Sequence, residues 1–110
     1  MSAPRRSIRT MSVPEFPPAL VDLQKRSDAA WAAVEQHRKQ VDESRLTDPR
    51  VEHPKFGPQV RGWYAEEDAE HGRLLAAARE AAEGLRAGVL AAGLTADYAT
   101  TQGLKDAARA

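Results

Sequence analysis

The chain has 110 residues and a mass of 12.0 kDa, room for one domain, which excludes a multidomain enzyme or a fold wrapped around a large cofactor. Twenty-one of its 46 hydrophobic residues are alanine, so the core must be thin. Sixteen basic residues balance sixteen acidic ones at a sequence pI near 6.8, which argues against a general nucleic-acid or membrane-surface binder, and the absence of cysteine excludes disulfide scaffolds, thiolate zinc sites and thiol catalysis.

Residues 1–17 read as a flexible, basic, proline-rich tail, with Pro4, Pro14 and Pro17 interrupting scattered apolar groups. Arg5, Arg6 and Arg9 meet no acid before Glu15, so this tail is a candidate contact for nucleic acid or an acidic partner. Translation from Met11 would remove all three arginines. Arginine outnumbers lysine twelve to four and asparagine is absent, the bias expected of a high-GC bacterial genome. No run approaches the roughly 18 apolar residues of a membrane span, and the expected compartment is the cytoplasm.

Residues 18–110 are expected to form a single helical domain. From Pro18 a stripe of Leu20, Leu23, Ser27, Ala30, Val34, His37 and Val41 recurs in steps of three and four, predicting a first helix over about 18–46. Asp48-Pro49 stops it, and Pro54, Gly57 and Pro58 keep the connection irregular, with no convincing strand. A second stripe runs through Val60, Tyr64, Glu67, His71, Leu74, Ala78, Ala81, Leu85, Gly88 and Ala92, predicting a helix over about 59–92. The acids Glu66, Glu67, Asp68 and Glu70 suit the exposed amides of its start, and Gly62 is its expected weak point. Gly93-Leu94 reads as a left-handed cap, after which Thr95 would cap a short C-terminal helix over about 96–109.

The fold class is therefore all-α. Two long helices with a short link are expected to form an antiparallel, coiled-coil-like hairpin, and the small apolar total favours a homodimer that completes a four-helix bundle. Trp31, Trp63 and Tyr64 are read as core anchors, with Trp63 facing Arg45 and Leu46 beneath the loop and joined by Phe56. As aromatic groups near a loop, Trp63, Tyr64 and Phe56 are also the candidate protein-binding residues.

The same register places His37 opposite His71, with Glu67 one turn before His71. Two histidines and a carboxylate are a candidate zinc or iron site, although the primary expectation includes no cofactor. The arrangement partly resembles the helical di-iron carboxylate proteins, including half-size ferritin-like chains that dimerise into a four-helix bundle. Their mark is a glutamate three residues before a histidine; here that position is Asp68, and Glu70 and Glu67 lie one and four before His71. The five serines stand in no nucleophile motif, and no glycine-rich phosphate loop follows a strand. The expected function is a non-enzymatic helical protein-interaction or assembly module, with a metal-binding bundle and a nucleic-acid-associated accessory protein as alternatives.

Overall fold

The computed structural model describes residues 16–110, so Arg5, Arg6, Arg9 and the two candidate starts lie outside the described residues. Three helices dominate: α1 (Pro18–Thr47), α2 (Ala65–Ala91) and α3 (Tyr98–Arg109), with strands β1 (Val51–His53) and β2 (Gly57–Gln59) between α1 and α2. The all-α reading fits, and none of the described helices is long and apolar enough to cross a membrane.

The chain gathers into two compact units, one containing described residues 16–26 with Ala82–Ala110, the other Ser27–Ala81. In the first, Leu20, Val89 and Leu104 form the core, flanked by the half-buried Phe16, Leu23, Leu85 and Leu94. Leu104 brings α3 onto the same unit's pieces of α1 and α2, so the C-terminal helix packs within its own chain. The turn that sends α3 back follows from backbone chemistry. Gly93 adopts a φ of 75°, and its amide bonds the Leu90 carbonyl while that of Leu94 bonds Val89, satisfying carbonyls that the helix end would leave open. Leu94 then folds onto the core beside Val89, the apolar contact that accompanies this cap.

The cap of α3 is Asp97, not the expected Thr95: the Asp97 carboxylate accepts from the Thr100 amide at 2.8 Å, and this bond holds its carboxyl below the ordinary range. Thr95 instead offers its carbonyl to the Asp97 amide at 2.8 Å, two residues too early to reach the orphan donors.

In the second unit Val34, Val41 and Ala78 are buried. His37 lies near His71 and Arg45 reaches the Arg61 carbonyl, so here the segments flanking the connection run in opposite directions. α1 ends one residue beyond expectation, closed by bonds from the Asp48 amide and the Thr47 hydroxyl to the Ser44 carbonyl before Pro49.

The link contains a small hairpin that the sequence reading missed. β1 and β2 pair antiparallel, with Val51 opposite Gln59, Glu52 opposite Pro58 and His53 opposite Gly57, whose φ of 74° makes the turn. Almost every residue of both strands is exposed, so no apolar alternation marks them. The expected start of the second helix at about 59 is corrected to Ala65, because Gly57–Gln59 is committed to the sheet. Gly62 consequently precedes α2 instead of weakening it.

Trp31 also departs from expectation, standing 41% exposed.

Candidate functional site

The second unit holds the chemistry. Its centre is Arg61, a residue that the sequence reading passed over and that is only 6% exposed. The guanidinium donates to Asp48 at 2.6 Å, to both oxygens of Glu67 at 2.8 and 3.1 Å and to the Gly62 carbonyl at 2.9 Å. Its flat face lies 3.9 Å from the centre of the Tyr64 ring, within cation–π range. A buried arginine requires such partners, since an unpaired buried charge carries a large desolvation cost. The hydrogen bonds that Arg61 donates to Glu67 lift its pKa above the ordinary value against the opposing effect of burial, with Asp48 adding to the rise.

Glu67 also turns back to accept from the Tyr64 amide at 2.8 Å, the N3-to-cap half of a capping box. Arg61 first, and this amide second, hold the Glu67 carboxyl below its ordinary value. One side chain thus starts α2 and neutralises the buried cation. Arg45 closes the arrangement by donating to the Arg61 carbonyl at 2.6 Å. A lone arginine between glycine- and proline-rich sequence and the acidic start of a helix was the available signal.

The structure brings His37 and His71 together, their ring centroids 6.1 Å apart and their planes 30° from parallel. Trp63 stands edge-on to both, at 5.7 Å from His37 and 5.4 Å from His71. Its expected place against Arg45 and Leu46 is thereby corrected: Trp63 lies before the start of α2, outside the helical register, and stands against the histidines. The Nδ1 atoms of both histidines are buried without a hydrogen-bond partner. An open recess of about 350 Å³ beside His71 is lined by Arg38, Trp63, Asp68 and His71. Glu67 belongs to the Arg61 arrangement, and among the described residues no group of three or more His, Asp or Glu side chains forms a metal-holding cluster.

The three candidate partner-binding residues separate. Trp63 is half-buried against the histidines, while Tyr64 is 50% and Phe56 66% exposed. Phe56 does not join Trp63 but lies 4.9 Å from the His53 ring, whose Nδ1 accepts from the Lys55 and Phe56 amides and closes the hairpin turn. Lys55 stands 5.5 Å from the Phe56 ring centre. Leu46 and Val51 are likewise exposed, at 65% and 53%.

On α1, Arg38 is paired with Glu35 at 2.5 Å and Asp42 at 3.1 Å. Those carboxylates would oppose a phosphate at the same place. Comparison with family models, curated proteins and solved structures finds no match for this chain.

Proposed function

We propose that this chain is a non-enzymatic helical interaction or assembly module that works in the cytoplasm as a homodimer, two copies completing a four-helix bundle, and that residues 46–64 recognise a protein partner. The carrying observation is that Leu46, Val51, Phe56 and Tyr64 are each at least half exposed in a connection whose backbone is held by specific bonds. Tyr64 is fixed under Arg61 and Phe56 on His53, so two aromatic anchors are already ordered before a partner arrives. Such preorganisation lowers the entropy lost on association, and tyrosine in particular is enriched among the residues that dominate protein interfaces. The dimer is supported by the small core: Leu104 is the one large side chain among the described residues that is fully buried, while Trp31 and Leu90 remain exposed.

Native mass spectrometry of the untagged chain tests the dimer, with a particle of twice the chain mass expected and a monomer at high protein concentration refuting it. A photo-crosslinking amino acid at position 56, introduced in the producing cell, tests the partner surface. An adduct of defined mass that Tyr64→Ala removes is expected. Labelling no stronger than from the exposed position Glu83 would overturn the reading.

A further inference from the structure

We infer that the cavity in the first unit is a binding site for a small organic monoanion, a carboxylate carried on an apolar chain, with Arg86 of α2 as its anion partner. The inference is independent of the partner surface at residues 46–64.

Two observations carry it. The first is the chemistry of the space, which measures about 280 Å³ and is lined by residues of α1, α2 and α3. Leu85, Val89 and Leu104 give it an apolar wall, and Val89 and Leu104 belong to the buried core. Protein interiors leave few voids wider than a water molecule, so apolar side chains that face a space of this size forgo contacts an apolar guest would supply. At about 30 Å³ for each water-sized group, the cavity admits roughly nine heavy atoms, the size of octanoate. An inorganic anion would leave the apolar wall bare.

The second is Arg86 itself. Five described arginines stand three residues after an acid in the same helix: Arg38, Arg45, Arg73, Arg86 and Arg109. Four of them pair with that acid, Arg38 with Glu35, Arg45 with Asp42, Arg73 with Glu70 and Arg109 with Asp106. Arg86 alone does not take its acid, Glu83, and it forms no ion pair with any described residue. It lines the cavity instead, as the one charged group among the described residues to do so. The two lining threonines have no hydroxyl hydrogen to spare, because Thr101 donates to the Asp97 carbonyl at 2.8 Å and Thr100 to the Asp97 carboxylate. An entering carboxylate therefore meets a guanidinium able to bond both its oxygens, with no acid in the wall to repel it. A mostly apolar lining with a few polar groups that fix orientation is the make-up of small-ligand pockets.

The test uses the full chain and octanoate. In methyl NMR spectra, millimolar octanoate is expected to shift Leu85, Val89 and Leu104 to saturation at one molecule per chain. Cross-relaxation between its chain protons and the Leu104 methyls should appear as well, a readout that requires no variant to fold. Arg86→Gln should weaken binding about tenfold or more by removing a charge-assisted bond, whereas Arg79→Gln, at an exposed arginine of the same helix, should leave it within about twofold. Octanol, which keeps the chain without the charge, should likewise bind about tenfold more weakly. Equal affinity for octanol, binding unchanged by Arg86→Gln, or octanoate shifts confined to the exposed Leu90 and Tyr98 would overturn the assignment, as would the absence of saturation.

Discussion

Replacing Leu104 with alanine is the sharpest test of the first unit's core. The side chain is 1% exposed and packs with Leu20 and Val89, at 3% and 5%, inside a ring of Phe16, Leu23, Leu85 and Leu94. Three carbon groups are removed, which at about 0.8 kcal/mol each gives a transfer loss of about 2.4 kcal/mol. Buried leucine-to-alanine changes cost about 2–5 kcal/mol once the unfilled space is included. Leu104 also lines a cavity of about 280 Å³ with Gln24, Arg86, Thr100 and Thr101. The expected total is about 3 kcal/mol, or a fall in Tm of roughly 10–20 °C for a chain of this size. Guanidinium unfolding followed by circular dichroism measures it, with Leu104→Met, which keeps the volume, expected to lose less than about 1.5 kcal/mol. Hydrogen exchange should rise first in α3, whose other contacts are few. A Leu104→Ala loss below about 1 kcal/mol, at an unchanged denaturant slope, would refute the packing described.

Glycine replacements on α2 should divide by what surrounds them. A Cβ at Gly72 or Gly84 meets nothing within 4 Å, so alanine at either is expected to stabilise by about 0.5–1 kcal/mol, whereas at Gly88 it would lie 2.7 Å from Leu23 Cδ1 and 3.2 Å from Leu20 Cδ1 and the gain should vanish or reverse; thermal melts of the three variants decide it. Gly93→Ala should cost about 1–2 kcal/mol, because its φ of 75° crowds a Cβ against the backbone, and equal stability with wild type would refute the cap. Because Arg61 lowers the Glu67 carboxyl from its ordinary 4.5, the ionised form favours the fold: its contribution is present above pH 4.5 and is lost as pH falls below 4.5 through the folded value. Wild type should accordingly lose more stability than Glu67→Gln between pH 5 and pH 3 in matched denaturant titrations, and parallel losses would count against the pair. Arg61→Met should expose the connection to protease between Thr47 and Ala65, since it removes every bond from the guanidinium to Asp48, Gly62 and Glu67; unchanged cleavage there would show that the backbone is held by other means.

How far the sequence could be read depended on the range of the forces involved. The seam of α1 was legible because Leu20, Ser27, Val34 and Val41 recur at the helical period and all are buried. The left-handed turn at Gly93 with Leu94 behind it was legible too, being decided by residues adjacent in the chain. The nearness of His37 and His71 followed from register along two periodic helices. The helix starts at Ala65 and Tyr98 were misplaced, because Glu67 and Asp97 act as caps through bonds that several neighbouring residues could equally have offered.

Residue order and local backbone chemistry therefore determined three helices, their approximate limits and the buried stripe of the first. Only tertiary structure decided that Arg61 sits buried between Asp48 and Glu67, that Trp63 turns to the histidines and not to Leu46, and that Tyr64 and Phe56 stay exposed. The division has a physical cause. Periodicity and capping act over one or two helical turns and leave a pattern in the chain, whereas the burial of a charge depends on partners 6 and 13 residues away whose approach no local pattern records.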